Sequence, residues 1–130
     1  ATVADIMLKV HRSYLRCLKP VLGYIHAMAH ITGGGLPGNL NRALPDTLDA
    51  DVITDTWTIP SWFRVLEEAG AVPRLEMYRA FNMGVGMVAI TSANNARLVH
   101  QQAAAYGIAS WELGRLVPGS GKVRFDGVVA

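Results

Sequence analysis

The apolar positions of this chain change their period several times, and each change marks an element. Residues 1–5 read as a lead-in. Ile6-Met7-Leu8, Val10, Tyr14-Leu15, Leu18 and Val21-Leu22 then recur at mixed spacings of three and four. That pattern predicts a short helix or turn, a basic stretch over 11–16, and a second apolar approach in which Pro20 starts a helix more readily than it continues one. Residues 24–31 alternate: Ile25, Ala27, Ala29 and Ile31 fall on one side, Tyr24, His26, Met28 and His30 on the other. A period of two predicts a strand. Three glycines follow, and then Leu36, Leu40 and Leu44 fit one helical face that Pro45 stops.

Residues 46–51 read as a polar connector, and β-branching over 52–57 predicts a short strand ending at Trp57. Pro60 opens a helix with Trp62-Phe63, Val65-Leu66 and Ala69 inward, Glu67-Glu68 outward and Gly70 at its end. Residues 72–77 start a second, shorter helix, with Pro73 in its first turn and Glu76 near the positive end of the dipole. Residues 88–91 form a strand headed by Gly84 and Gly86. Ser92 or Asn94 caps a helix that runs to Tyr106 and ends at Gly107. Residues 108–117 predict a strand, 118–121 a turn, and 122–125 a final strand that closes a hairpin. The order α-β-α-β-α-β-α-β-β, broken by that hairpin, predicts an α+β fold with a mixed β-sheet packed with helices rather than a parallel doubly wound one.

Composition narrows the class. A chain of 130 residues fits one domain, here 1–130, with 51% apolar and 17% charged residues, which excludes a disordered tail. Twelve basic and ten acidic residues are interspersed, giving a net charge of +2; no nucleic-acid partner is implied, while a small anion is compatible. No run approaches the ~18 apolar residues of a membrane span, and no basic-then-apolar leader is visible. The single cysteine, Cys17, cannot make an intrachain disulfide and reads as a half-buried thiol in a reducing, cytoplasmic compartment. The start at Ala1 without methionine is compatible with a processed or expressed fragment.

The candidate chemistry centres on Thr32-Gly33-Gly34-Gly35. Strand, glycine loop and helix start bring backbone N–H groups close to an anion. Without Cβ atoms a ligand touches the main chain directly. The run lacks the lysine of a Walker A loop and the G-x-G-x-x-G spacing, so a tight strand-to-helix turn stays open as the alternative. His26 and His30 stand ~13 Å apart along an extended strand, too far to ligate one metal, and no metal site is expected. Asn82 lines a cleft or caps a turn; His30 orients the loop or sits satisfied in the core. Arg12 and Arg79 are the cations first in line for a phosphate, against a solvated role. No serine–histidine–acid or paired-carboxylate set stands out.

Taken in order, four stretches resemble the aminoimidazole ribonucleotide synthetase (phosphoribosylformylglycinamidine cyclo-ligase) family. They are His11-Arg12-Ser13-Tyr14 with Lys19-Pro20; Ile25 through His30-Ile31-Thr32-Gly33-Gly34-Gly35-Leu36; the W-x-x-P-x-x-F set of Trp57, Pro60 and Phe63; and Glu76-Met77-Tyr78-Arg79-x-Phe81-Asn82-Met83-Gly84-Val85-Gly86-Met87. The set covers about 6–119 and resembles only the family's carboxy-terminal domain. Ala27 departs from the family's usual glycine, and the tail over 123–130 looks variable.

The resemblance implies half of a composite site in a longer, homodimeric enzyme. ATP and Mg²⁺ would be held mainly by an amino-terminal domain, and the small-molecule ribonucleotide substrate would lie partly against this chain. The implied reaction is an ATP-dependent ring closure of formylglycinamidine ribonucleotide in purine synthesis. Thr32, Gly33, Gly34 and Gly35 would take the substrate's phosphate end, and Asn82, Gly84 and Gly86 would line the facing wall. The alternative is a non-catalytic ligand-binding or packing domain of a related ATP-dependent synthetase or kinase sharing this scaffold.

Overall fold

The computed structural model describes residues 1–127; the last part of the variable tail, residues 128–130, lies outside the described residues. The lead-in is a helix, α1 (Val3–Met7), because Thr2 and Asp5 form a capping box: Asp5 N–H donates to Thr2 Oγ1 and Thr2 N–H to Asp5 Oδ2. Next come α2 (Leu15–Leu18) and a 3-10 turn, Lys19–Tyr24, with Pro20 in its first turn. Strand β1 (Ala27–His30) realises the alternation: Ala29 and Ile31 are buried, while His26, Met28 and His30 are exposed. Then follow α3 (Gly35–Leu40), a 3-10 turn at Asn41–Ala43, and β2 (Leu48–Ile53).

Helices α4 (Ser61–Gly70) and α5 (Arg74–Ala80) fall where the prolines predict them. The inward face of α4 is narrower than the pattern predicts. Val65 and Ala69 are exposed, and Glu67 is half-buried because Arg74 Nε reaches it at 2.7 Å and ties α4 to α5. Strand β3 (Met87–Ile90), helix α6 (Ala93–Ala105), β4 (Gly114–Pro118) and β5 (Val123–Asp126) complete the chain.

The α+β class holds, with a mixed sheet. Strands β1 and β3 pair antiparallel, Ala27 opposite Ile90 through His30 opposite Met87. A three-stranded sheet has the order β4-β2-β5, antiparallel on one side of β2 and parallel on the other. Three expectations are corrected. The strand predicted at 52–57 starts earlier, at Leu48, and gives way to a 3-10 turn at Thr54–Thr56. The strand predicted at 108–117 shortens to β4. The expected hairpin is absent among the described residues: β4 and β5 flank β2 instead of pairing with each other.

One residue explains the first and third corrections. Asp49 made 46–51 read as a connector, yet it is only 6% exposed. Its Oδ1 accepts the N–H groups of Ser120 and Lys122 at 2.8 and 2.9 Å, and Arg124 Nε stands 3.4 Å from its Oδ2. Gly119 N–H and Gly121 N–H donate to Thr47 and Leu48 carbonyls. The 118–121 turn is thus wrapped around the start of β2, and the chain passes to the far side of that strand.

A core of Ala29, Ile31, Leu36, Leu40, Ala50, Val52 and Val85 joins the two sheets through α3. Phe63, Met77, Tyr78 and Met83 form a second cluster under α4 and α5. Cys17, Leu18, Val21 and Ala103 form a third under α6. Burial there raises the Cys17 thiol above its ordinary range.

The Lys122 and Ser120 amides, and then Arg124, hold the Asp49 carboxyl below the usual range. A depressed folded-state value contributes stability that is present above the unfolded value of about 3.9 and is lost as pH falls through the folded one. Acid titration followed by circular dichroism is therefore expected to show stability falling below about pH 4. Asp49→Asn should be less stable at pH 7 and should flatten that acid limb; an unchanged limb would remove Asp49 as its cause.

Candidate functional site

Residues 31–35 and 81–86 run side by side because β1 and β3 pair. Ile31 N–H donates to Gly86 O at 3.0 Å, extending the ladder past both strands. The glycine loop then turns into α3 around one side chain, Asn39. Its Nδ2 donates to the carbonyls of Thr32 (3.2 Å), Gly33 (3.3 Å) and Gly35 (2.8 Å), and Thr32 Oγ1 donates to its Oδ1 at 3.3 Å. Asn39 is 8% exposed, so this side chain is fixed by burial as well as by bonding. With the carbonyls drawn inward, the Gly33 and Gly34 N–H groups donate to no protein acceptor among the described residues. Both glycines are exposed. Successive unpaired amides of this kind form an anion-binding concavity.

The three glycines differ in what they do. Gly33 has open space where a side chain would sit. Gly34 holds φ at +99° at the head of α3. Gly35 has φ +61°, and a methyl group there would collide with the Tyr78 carbonyl oxygen at the end of α5. Gly35 is therefore a docking point between α3 and α5, and the loop's free surface belongs to Gly33 and Gly34.

The facing segment is a tight turn. Met83 and Gly84 have φ of +52° and +95°, and Val85 N–H donates to Asn82 O at 3.0 Å, a type I′ arrangement. Asn82 Oδ1 accepts Gly84 N–H at 2.9 Å, and Trp57 Nε1 donates to Met83 O at 2.9 Å. Pro60 lies against Gly84, where an added Cβ would stand 2.6 Å from its Cδ. The W-x-x-P spacing is thereby explained: both residues clamp this turn. Gly86 is crossed by Tyr14, whose hydroxyl a methyl group there would strike. Burial raises the Tyr14 phenol above its ordinary value.

His30 is exposed, and its ring centroid is 4.3 Å from that of His11 and 6.5 Å from that of Tyr14. His11 lay within the basic stretch and carried no site signal of its own. Asn39 was also missed; the legible signal was its place four residues after Gly35 on the helix that the glycines open. Arg79 sits on α5, paired with Glu76 at 2.5 Å and exposed to solvent. Arg12 is exposed at the mouth of a cleft of ≈840 Å³ that Gly84 and Gly86 also line. Thr32, Gly33, Gly34, Gly35, His30, Asn82 and Arg79 do not line that cleft. The expected site residues thus fall into two groups, one at the loop and one at the cleft.

At the cleft, His100 Nδ1 and Ser110 Oγ are 2.7 Å apart. No carboxylate is hydrogen-bonded to that imidazole among the described residues, so the pair lacks the orienting acid of a triad. Among the described residues, no group of three or more His, Cys, Asp and Glu side chains could hold a metal ion, and no helix is long and apolar enough to cross a membrane.

The fold and the loop define a mixed α+β domain with a glycine-rich strand–loop–helix unit. The family model described as "AIR synthase related protein, C-terminal domain" matches residues 1–126, and the chain belongs to that family. It is 42% identical over 120 residues to a phosphoribosylformylglycinamidine cyclo-ligase of Anaeromyxobacter dehalogenans strain 2CP-C, covering 91% of this chain and 35% of that relative. It is 43% identical over 118 residues to the protein of the same name in Xanthomonas oryzae pv. oryzae strain PXO99A, covering 84% and 35%. The chain spans about a third of the length of the curated relatives it matches.

Gly35→Ala is expected to lower stability by about 3 kcal/mol, from the clash with α5 and the left-handed φ together. Gly33→Ala, with open space at its Cα, should change stability by less than about 0.5 kcal/mol. Guanidinium denaturation of the two variants checks this. Equal losses would contradict the division of labour within the loop.

Proposed function

We propose that this chain is the substrate-side domain of a longer phosphoribosylformylglycinamidine cyclo-ligase, residues 1–130 forming its carboxy-terminal domain. The observation that carries the reading is the pair of amides at the exposed Gly33 and Gly34 that find no acceptor among the described residues, in a loop whose carbonyls Asn39 holds. The substrate, formylglycinamidine ribonucleotide, bears a 5′-phosphate. Two backbone N–H donors suit a phosphate oxygen, charge-assisted bonds of this kind being the strong ones, and Thr32 adds a third donor when its hydroxyl proton turns from Asn39 Oδ1 to the phosphate. Arg79 stands beside the buried Tyr78, on which Gly35 packs, and its exposed pair with Glu76 is worth only ~0.3 kcal/mol, so a phosphate competes easily for it. The Asn82 turn forms the neighbouring wall, Gly84 and Gly86 support it from the cleft side, and His30 flanks the loop from β1.

In this reading ATP supplies the phosphoryl group that makes the formyl oxygen a leaving group, the amidine nitrogen attacks that carbon, and phosphate departs as the imidazole closes. This chain's share is positional: it holds the ribonucleotide so that the amidine and formyl groups meet, which is the larger part of such catalysis. Among the described residues no three His, Cys, Asp or Glu ligands converge, and no step is assigned to Mg²⁺ on this chain. Mg²⁺ and most contacts to ATP belong, in this proposal, to an amino-terminal domain of the same polypeptide. The full-length protein is proposed to be a cytoplasmic homodimer.

Gly33→Val in the full-length enzyme tests the loop, because space at that Cα is open and the new side chain covers the amides. The KM for the ribonucleotide is expected to rise at least about tenfold, the loss of one or two charge-assisted bonds, with Tm and the KM for ATP little changed. An unchanged ribonucleotide KM would overturn the assignment.

A further inference from the structure

Among the described residues the two sheets have four outer edges, and two of them, on β3 and β4, border one cleft. Among the described strands, β3 is hydrogen-bonded only to β1, and β4 only to β2. Both line the same cleft, within unbroken runs over residues 84–93 and 108–116. A strand that offers a cavity one face contributes every second residue, because side chains alternate. The central strand β2 adds a short run, 50–52, but only β3 and β4 among the lining strands have an edge whose N–H and C=O groups no described strand uses. Helix α6, which leads from β3 towards β4, covers the cleft with Ala96, Val99 and Ala103.

The size of the gap fits one strand. With strands ~4.8 Å apart, sheets ~10 Å thick and a rise of ~3.3 Å, one strand residue fills roughly 160 Å³. A cleft of ≈840 Å³ then holds about five residues, the length of its walls: β3 has 4 and β4 has 5. An independent observation points the same way. Trp111 lines this cleft, and its Nε1 is a buried side-chain polar atom with no hydrogen-bond partner among the described residues. Indole N–H groups buried without an acceptor are costly, and a passing backbone carbonyl is the usual remedy.

We propose that an extended apolar segment of the same polypeptide, from the two-thirds of its length outside this chain, inserts between β3 and β4 and gives a carbonyl to Trp111. The two sheets become one, in the order β1-β3-insert-β4-β2-β5. The occupant is apolar because the walls it meets are Val88, Ile90, Val99 and Leu113, with charge confined to Arg12, Asp51, Glu112 and Arg115. An open edge of this kind on an isolated chain is also a template for unwanted pairing, which insertion removes. The proposal rests on reading the chain as one part of a longer enzyme.

Hydrogen exchange on the full-length protein tests it. Amides of residues 87–90 and 114–117 should all be protected at least about a thousandfold, at every protein concentration, together with the Trp111 indole N–H. Protection only of alternate amides, those facing β1 and β2, would overturn the insertion. Protection that appears only as concentration rises would overturn it too, in favour of a second copy as the occupant. Turnover of formylglycinamidine ribonucleotide is measured on the same sample. Full protection without turnover would sink the cyclo-ligase reading and leave the inserted strand standing.

Discussion

The candidate site depends on what the side-chain amide of Asn39 does to the glycine loop. A glycine-rich segment has no side chains to hold it, and ordering one costs more entropy than ordering any other residues. Here one buried donor group reaches three carbonyls, so the ordering is concentrated in a single rigid residue of α3. The geometry also sorts the loop's polarity. The Thr32, Gly33 and Gly35 carbonyls are taken up by Asn39, while the amides of the exposed Gly33 and Gly34 find no acceptor among the described residues. The same three glycines without that clamp would present both signs to a ligand and prefer neither.

The surroundings hold the clamp in place. Gly35 fits against the end of α5, Leu36 and Leu40 are buried in the core that joins both sheets, and Asn39 lies between them on the same helix. The neighbouring turn is fixed from the other side by Trp57 and Pro60, which explains how Met83, a bulky residue, keeps a positive φ that costs roughly 1–2 kcal/mol. Its side chain is sealed among Phe63, Met77 and Tyr78. Two of the most recognisable sequence blocks, the tryptophan–proline pair and the stretch around Asn82, thus serve one purpose: they hold a rigid wall beside the loop.

What the sequence made legible followed from local physics. Alternation over 24–31 gave β1 and its buried face, because one side of that strand packs and the other does not. The prolines at 60 and 73 gave the starts of α4 and α5, because proline fits a first turn and nothing later. What stayed hidden depended on partners far along the chain. Asp49 looked like loop chemistry because the amides that satisfy its burial come from Ser120 and Lys122. The path of β5 to the far side of β2 follows from that same long-range contact. At the site, the three glycines were visible and their separate roles were not, since these rest on Tyr78 and on Asn39. Asn82 was visible as chemistry, while its bond to the Gly84 amide is a property of the turn.

The most direct test of the central claim changes the clamp and leaves the glycines alone. In the full-length protein, Asn39→Ala removes the donor to all three carbonyls. Calorimetric titration of wild type and variant with the proposed substrate, formylglycinamidine ribonucleotide, at a temperature where both are folded by circular dichroism, reads out the loop's contribution. Expected is a Kd for the variant raised about tenfold or more, with ATP affinity retained. An unchanged ribonucleotide Kd in a folded Asn39→Ala protein would contradict it.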